Sequence, residues 1–313
     1  MKGKFSNPLR YPGSKSGFIE EFSEYVKTNN LIGKEIVEPY AGSASISLGL
    51  LQKGMISSAI LFERDPLIFA FWHSVFNRRD ELVNAIEDLP ITLDTWYEFD
   101  KFRQMDGVDP EHILSLGLAG LFFNRTNFSG VLHAGPIGGK SQLSDYAVDC
   151  RFNKKDIIKR IVSIAKMAGQ VSVFFGDAID ALKDANNADN ANRFFYVDPP
   201  YYKQGRKLYR YHYKLSDHKR LADALSEANY RWILSYDNHH VIEHFYADFD
   251  KITRDFRYSS RSPKQEKELL ITNIDGWIQP ATFLTNAKPQ DSKKYVTTPV
   301  TAIDSNVNLP VTT

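Results

Sequence analysis

Several features that would indicate a secreted or membrane protein are scarce in this sequence. Its 313 residues include one cysteine, Cys150, which excludes a disulfide within the chain and a zinc site built from cysteines. No stretch reaches the roughly 20 apolar residues of a membrane-spanning helix, and the first ten residues contain no apolar secretory core. We therefore expect a cytoplasmic protein that does not enter a membrane.

Net charge is also nearly absent, because 39 Lys and Arg residues are balanced by 38 Asp and Glu residues. A polyanionic partner must therefore be bound by local basic segments. Three segments qualify, at 151–160, 203–214 and 257–267. The second interleaves five Lys or Arg residues with three tyrosines and contains no acid. Basic side chains contact phosphates and aromatic rings stack on bases, so this segment suits a nucleic acid, although a charged run is often only a solvated face.

Apolar strand-like runs alternate with helix-like segments at both ends of the chain. Strand-like runs occur at 35–37, 59–62, 171–175, 194–197 and 232–235. Helix-like segments occur at 43–52, 66–76, 177–185 and 215–228. This order predicts an α/β fold, a Rossmann-like doubly wound, mostly parallel sheet with helices on both faces. Residues 267–273 could supply a further strand.

The alternation is lost between residues 79 and 160. Helix-like pieces at 79–88, 93–106 and 110–123 precede a Gly- and Pro-rich loop at 133–140. Such a block within an α/β sheet predicts an inserted, mostly helical subdomain whose loop faces a partner. We expect a catalytic domain formed by 1–78 and 161–280, an insertion at 79–160, and an extended or mobile tail at 281–313.

Four acidic residues follow four of the strand-like runs: Glu38, Glu63, Asp177 and Asp198. The carboxyl ends of parallel strands meet at one edge of a sheet, which is where Rossmann-like folds bind nucleoside cofactors. The small residues of 38–45 would let a ligand approach the backbone, although a tight packing turn is the alternative there. Glu63 is placed to accept hydrogen bonds from ribose hydroxyls, whereas Asp65 could instead cap the helix that Pro66 begins.

Residues 198–201, Asp-Pro-Pro-Tyr, end the buried run 194–197. The two prolines fix φ and remove two backbone donors, so the turn offers a carboxylate, carbonyl oxygens and an aromatic ring. These groups can accept hydrogen bonds from an exocyclic amine and stack on the ring that bears it; a merely rigid turn is the alternative. Earlier in the chain, Lys15 lies in the first turn of a helix expected to begin near Ser14 or Ser16. A cation there opposes the helix dipole unless it meets an anion.

With these motifs in order, the chain resembles the Dam-like family (D12 class, alpha type) of DNA adenine N6-methyltransferases. The resemblance runs from Pro8 to Asn273. It depends on Arg-Tyr-Pro-Gly-Ser-Lys at 10–15, Val-Glu-Pro-Tyr-Ala-Gly-Ser-Ala-Ser at 37–45 and Asp-Pro-Pro-Tyr at 198–201, with a helical insertion in between. Residues 124–130 and 268–270 are also similar. The chain departs from the family where Ala44 replaces the second glycine of the cofactor loop and Glu63 replaces the usual aspartate.

The resemblance implies S-adenosylmethionine as the methyl donor and no metal. Tyr11 and Lys15 would contact the amino-acid end of the donor, together with residues 40–43, while Glu63 would hold its ribose and Asp177 its adenine. The full set implied for the cofactor is Tyr11, Lys15, Glu38, Tyr40, Gly42, Ser43, Glu63, Asp65, Asp177 and Asp198.

The chemistry of the turn fits this reaction. The lone pair of adenine N6 is delocalised into the ring, and hydrogen bonds from N6 to Asp198 and to the Pro199 carbonyl would redirect it toward the methyl group. The base must be flipped out of the duplex to reach the turn. The expected catalytic residues are Asp198, Pro199, Pro200 and Tyr201. The expected DNA-contacting residues are Asn124, Arg125, Asn127, Ser129, Lys140, Arg206, Lys207 and Arg210.

The expected partner is double-stranded DNA, bound by a monomer, with a cognate restriction endonuclease as a possible associate. Two other functions remain open at this point. The same catalyst could act on adenine in RNA, or the chain could be a catalytically silent nucleic-acid-binding protein on the same fold.

Overall fold

The computed structural model describes residues 5–11, 13–258 and 264–275. The predicted tail at 281–313, Pro12 and Arg261 of the third basic segment lie outside these residues. Within the described chain, no helix combines the length and apolar character needed to cross a membrane.

A seven-stranded sheet runs through the described residues in the order β3-β2-β1-β4-β5-β7-β6. The strands are β1 Glu35–Glu38, β2 Ser58–Glu63, β3 Val171–Phe175, β4 Arg193–Val197, β5 Trp232–Asp237, β6 Asp250–Tyr258 and β7 Lys264–Thr272. Strands β1 to β5 pair in parallel, and β7 runs antiparallel to both of its neighbours. The predicted α/β class with a mostly parallel sheet is therefore confirmed. Strand β6 and the reversed direction of β7 were not predicted.

Eleven α-helices accompany the sheet in the described residues. They are α1 Ile19–Thr28, α2 Ser45–Lys53, α3 Pro66–Asn77, α4 Arg79–Asp88, α5 Leu93–Phe99, α6 Ile113–Thr126, α7 Lys154–Ala165, α8 Ala178–Ala185, α9 Gly205–Leu208, α10 Leu215–Ser226 and α11 His240–Phe245. Two apolar clusters cover the two faces of the sheet. One includes α1, α2 and α3, and the other includes α8, α10 and α11. Central strands β4 and β5 are buried on both faces, which explains their nearly continuous apolar sequences.

The block at 79–160 is mostly helical, and its apolar residues join the cluster on the α1 face. Helix α6 lies directly on α3 because two of its residues lack side chains. A Cβ atom on Gly117 would lie 2.6 Å from the carbonyl oxygen of Ala70, and one on Gly120 would collide with the carbonyl oxygen of Leu67. The glycines therefore allow the two helix backbones to touch.

Several helix boundaries differ from the sequence prediction. The first helix begins at Ile19 rather than near Ser14 or Ser16, since residues 15–17 form only a 3-10 turn. The helix expected at 93–106 ends at Phe99 and continues as a 3-10 helix to Gln104. Helix α7 lies in what the sequence presented only as a basic segment.

Candidate active site at the carboxyl edge of the sheet

A cleft of about 280 Å³ opens at the carboxyl ends of β1, β2 and β4. Strand β1 lies between β2 and β4, so the chain reverses its order along the sheet at this point, and such a reversal leaves a crevice in open α/β sheets. All ten residues predicted for the cofactor line the cleft: Tyr11, Lys15, Glu38, Tyr40, Gly42, Ser43, Glu63, Asp65, Asp177 and Asp198. Pro200 of the predicted catalytic turn also lines it. The contacts of these residues with a cofactor stay a prediction.

Glu38 fixes the loop between β1 and α2 from inside. Its side chain is buried and accepts hydrogen bonds from the backbone nitrogen of Ser47 at 2.6 Å and from the Ser47 hydroxyl at 2.5 Å. These bonds give a backbone N–H group in the first turn of α2 a hydrogen-bond partner. Ala44, the residue before this helix, has no side chain that could cap it. Burial raises the pKa of Glu38 to about 8, although the bonds from Ser47 oppose the rise.

Gly42 lies at the centre of this loop with φ at +45°, a conformation that favours glycine. A Cβ atom there would lie 2.9 Å from Cε1 of Tyr11. The backbone nitrogen of Gly42 donates to Glu63, and its carbonyl oxygen accepts from the indole of Trp72. Glu63 and Trp72 thus fix the backbone of this loop, and the missing side chain of Gly42 lets the Tyr11 ring pack directly against it.

Glu63 and Asp65 have different roles at the end of β2. Glu63 accepts hydrogen bonds from the backbone nitrogens of Gly42 at 2.9 Å and Asp65 at 2.8 Å. Burial, together with the charge of Asp65, raises the pKa of Glu63 to about 7. Asp65 caps α3 by accepting from the Leu67 nitrogen at 3.0 Å, and it pairs with Arg210 at 2.8 Å. The capping role considered for Asp65 is therefore present.

Asp177 and Tyr40 line the side of the cleft next to α8. Asp177 caps α8, accepting from the backbone nitrogen of Ile179 at 2.9 Å. The hydroxyl of Tyr40 shares a hydrogen bond of 2.6 Å with that of Tyr213. These contacts position the side chains before any ligand binds.

Asp198 and Lys15 form an ion pair at the base of the cleft, in which Lys15 is buried and Asp198 is partly exposed. Lys15 Nζ lies 3.0 Å from Asp198 Oδ1 and 3.9 Å from Glu268 Oε2. Ser235 donates a second hydrogen bond to Asp198 Oδ1 at 2.8 Å. No described residue hydrogen-bonds to the other oxygen, Oδ2. Burial alone would lower the pKa of Lys15, but the two carboxylates raise it above its usual value.

Lys15 therefore meets an anion, and that anion is the catalytic candidate itself, although Lys15 lies in a 3-10 turn before α1 and not in the first turn of a helix as expected. Its ammonium also lies 4.9 Å from the centre of the Tyr201 ring, a cation–π contact. On the protein side, this ring stacks against Tyr236 with 5.9 Å between ring centres. Tyr201 is thus held in place, whereas its stacking on a base stays a prediction.

Three polar residues of this site were missed by sequence reasoning: Ser235, Asp237 and Glu268. Asp237 accepts hydrogen bonds from the backbone nitrogens of Tyr202 and Lys203 and so fixes the chain that leaves the turn. It ends β5, so the strand-end argument that found the other acids could have found it. Glu268 carries no such signal, because it lies within the antiparallel strand β7.

Residues 208–213 form a wall of the cleft, and this changes the expected role of Arg210. Its guanidinium pairs with Asp65 and donates to the carbonyl oxygens of Arg103 and Met105. Next to it, the Tyr211 hydroxyl donates to Asp106 at 2.6 Å. The prediction that Arg210 contacts DNA is corrected here, since its donors are used within the protein. Arg206 and Lys207 of the same segment are exposed.

The polar residues expected to read DNA at 124–127 point inward, and we remove them from the DNA-contacting set. Asn124 accepts from the backbone nitrogen of Arg10 and donates to the Gly130 carbonyl. Arg125 donates to the Pro8 carbonyl. Asn127 accepts from the Trp96 indole and donates to the carbonyls of Val131 and Leu132. All three are buried, whereas Ser129 and Lys140 are exposed.

The comparison with protein families agrees with the resemblance seen in the sequence. The family model described as D12 class N6 adenine-specific DNA methyltransferase matches residues 11–260. No curated protein matches the chain. Among solved structures, the SAM-dependent methyltransferase NGO1261 from Neisseria gonorrhoeae is 11% identical with a TM-score of 0.35, over 86% of this chain and 71% of that one. Precorrin-6y C5,15-methyltransferase from Geobacter metallireducens is 9% identical with a TM-score of 0.31, over 79% of this chain and 85% of that one.

Proposed function

The chain belongs to the D12 class of N6 adenine-specific DNA methyltransferases, and on that basis we propose that its 198–201 turn methylates an adenine flipped out of duplex DNA. One observation carries the assignment of this turn. Asp198 Oδ1 is anchored by Lys15 and Ser235, and the carboxylate stands in a cleft lined by the other strand-end acids. An anchored carboxylate in such a cleft can orient an amine.

S-adenosylmethionine is the methyl donor in this proposal, and the cleft fits it. When bound, it supplies an electrophilic methyl group on a sulfonium sulfur. Glu63 has acceptor capacity beyond its two backbone hydrogen bonds, so it can hold ribose hydroxyls. Gly42 presents backbone without a side chain next to Tyr11, and Asp177 lies where the cofactor adenine is expected.

Asp198 prepares the adenine amine for attack. Two N6 hydrogens need two acceptors, and we assign Asp198 Oδ2 and the Pro199 carbonyl to them. Because Lys15 and Ser235 hold Oδ1, the carboxylate does not need to reorganise when the base arrives. Pre-set acceptors of this kind turn the N6 lone pair toward the methyl group, and positioning supplies most of the rate enhancement.

The 79–160 block is the target-recognition region in this proposal, and 1–78 with 161–280 form the catalytic domain. Exposed Ser129, Lys140, Arg206 and Lys207 are the remaining candidates for contacts with DNA. Lys207 and Arg206 follow the catalytic turn directly, so they suit the phosphates beside the flipped nucleotide. We further propose a cytoplasmic enzyme that acts as a monomer, with a cognate endonuclease as its possible associate.

The test is methyl incorporation by the Asp198→Ala variant. We expect a loss of at least about a hundredfold in kcat on duplex DNA, because one of two positioned acceptors disappears. Asp189→Ala, in an exposed loop, is the matched control and should retain activity. Retained DNA methylation by Asp198→Ala would overturn the assignment of the turn. A preference of the wild type for structured RNA, or no binding of S-adenosylmethionine by calorimetry, would support one of the two other functions instead.

A further inference from the structure

Glu268 is a buried acid that the proposed reaction does not yet use. Its side chain is 1% exposed and lies at the same edge of the sheet as the catalytic turn. The reversed direction of β7 explains this position. In the antiparallel pairing, Glu268 is opposite Asp237 at the carboxyl end of β5. A residue in the middle of the last described strand is thereby brought to the strand ends where the cleft lies.

Glu268 and Asp198 share one buried cation. Lys15 Nζ lies 3.0 Å from Asp198 Oδ1 and 3.9 Å from Glu268 Oε2, and it donates to the Gly13 carbonyl at 3.1 Å. The side chain of Lys15 is 4% exposed and that of Glu268 is 1% exposed, so water screens this pair weakly, whereas Asp198 is 22% exposed toward the cleft. The ammonium is therefore held between two carboxylates, only one of which has a role in the reaction so far.

Among the residues whose side chains the structure describes, the other groups around Glu268 do not supply a second cation. The ionisable groups that act on it are Lys15, Asp198, Tyr196, Tyr201, Tyr209 and Asp237. On β6, Arg254 is opposite Glu268 in the pairing. Its guanidinium instead pairs with Glu21 at 2.5 Å and donates to the Tyr25 hydroxyl. Lys15 is therefore the cation that both carboxylates depend on.

We propose that Glu268 is a positioning residue for methyl transfer, which acts by sharing Lys15 with Asp198. This inference rests on the proposed function of the 198–201 turn. Glu268 attracts the ammonium from 3.9 Å, and this second attraction limits where Lys15 can place its charge against the Asp198 carboxylate. With both acids ionised, the group of Lys15, Asp198 and Glu268 carries one net negative charge.

That net charge bears on the chemical step. Positive charge moves onto N6 as the N–C bond forms, while the electron pair of the breaking C–S bond stays on sulfur and leaves a neutral thioether. N6 then loses one proton to solvent water, which restores a neutral amine. A buried negative charge close to Asp198 favours the cationic form of N6 at low effective dielectric. Without Glu268, Lys15 would neutralise Asp198 fully, and this stabilisation would be lost.

The titration of Glu268 gives the inference a pH signature. Burial raises the pKa of Glu268 to about 7, with Lys15 opposing the rise and Asp198 adding to it. Below this pH, Glu268 is protonated and the three-residue group is neutral. We therefore expect kcat of the wild type to fall as the pH decreases through about 7.

The experiment measures kcat and KM for duplex DNA between about pH 5.5 and 9 for the wild type, Glu268→Gln and Glu268→Asp. We expect Glu268→Gln to lower kcat roughly tenfold or more, to change KM less than about twofold, and to lose the decline near pH 7. Glu268→Asp should keep the decline and recover part of kcat, because it retains a titrating carboxyl group. Glu24→Gln removes an exposed carboxylate of α1 that pairs with Lys27 and contacts neither Lys15 nor Arg254, so it is the control.

A Glu268→Gln enzyme with the kcat and pH profile of the wild type would overturn the inference. So would a wild type whose kcat is constant from pH 6 to 8, a result that needs no variant to fold. Carbon-13 NMR of carboxyl-labelled glutamate measures the titration of Glu268 directly and does not depend on turnover. The Glu268 signal should titrate near pH 7, and its titration midpoint should shift in Lys15→Met. If Glu268→Gln is active while Asp198→Ala is not, only this inference fails and the proposed function stands.

Discussion

The 198–201 turn and the 124–140 loop carry similar polar residues but direct them differently. In the turn, Asp198 is held by Lys15 and Ser235 at the base of an open cleft. In the loop, counted here from the last turn of α6, Asn124 and Asn127 turn inward and donate to the carbonyls of Gly130 and Leu132. At the edge of a parallel sheet, the strand ends bring polar residues from distant parts of the sequence to one place. The polar residues of a single loop have no such common direction. A polar residue in a motif is therefore a better guide to a site when topology fixes its direction.

The largest expected effect comes from removing the cation that holds the turn. Lys15→Met leaves Asp198 and Glu268 without their shared partner, and we expect a loss of about 3–5 kcal/mol in the free energy of unfolding. Because Lys15 opposes the rise in the pKa of Glu268, that pKa should rise further in the variant. A folded-state pKa above the unfolded value stabilises the fold most at low pH, so the deficit should shrink as the pH falls from 8 to 5.

Urea denaturation at several pH values checks this prediction. Lys27→Met, which breaks an exposed pair with Glu24, is the control and should change stability by less than about 0.5 kcal/mol. If Lys15→Met and Lys27→Met lowered the free energy of unfolding equally, the Lys15 pair would be no stronger than an ordinary surface ion pair, and this prediction would be wrong.

A smaller effect is expected when the loop loses its internal support. Asn127→Ala leaves the Trp96 indole and the carbonyls of Val131 and Leu132 without their buried partner. We expect stability to fall by about 2–3 kcal/mol, since buried polar groups without partners are costly. Urea denaturation measures it.

Ser129→Ala, two residues away and exposed, should change stability by less than about 0.5 kcal/mol. If Asn127→Ala were as mild as Ser129→Ala and instead abolished DNA binding, the loop would present its polar groups outward. The contrast between the two regions would then be wrong.

The smallest effect concerns the cofactor loop. Ala44 adopts φ +48° in the left-handed region, where the Dam-like pattern has glycine. Ala44→Gly should therefore raise the free energy of unfolding by about 1 kcal/mol. The denaturation midpoint measures this gain, and Ala41→Gly, which does not have a positive φ, should instead lower it. If Ala44→Gly lowered the free energy of unfolding, the positive φ of Ala44 would not strain the backbone, and this prediction would be wrong.

The sequence predicted those parts of the site that depend on parallel strands. Glu38, Glu63, Asp177 and Asp198 line one cleft because each follows a strand of a repeated βα pattern. Glu268 could not be found this way, since its place depends on β7 running backwards between β5 and β6. The direction of a final strand is set by pairing with distant residues, which a local pattern does not show.

Arg210 and Arg125 show a second limit. Both belong to basic motifs, yet each guanidinium bonds to groups from distant parts of the chain, Asp65 in one case and the Pro8 carbonyl in the other. Charge counted along a sequence does not tell whether an arginine faces solvent or another segment. Only the packing of the 100–106 and 5–10 segments against them decides this.

The backbone contact between α3 and α6 has a mechanical consequence. Because Gly117 and Gly120 leave no side chains between these helices, we expect the 79–160 block to resist pivoting on the sheet that carries the 198–201 turn. In the proposed function, the block that recognises DNA and the turn that reacts would then move as one rigid unit. The strain of bringing a base to Asp198 must fall on the double helix, so sequences that unstack readily around the target will be modified fastest.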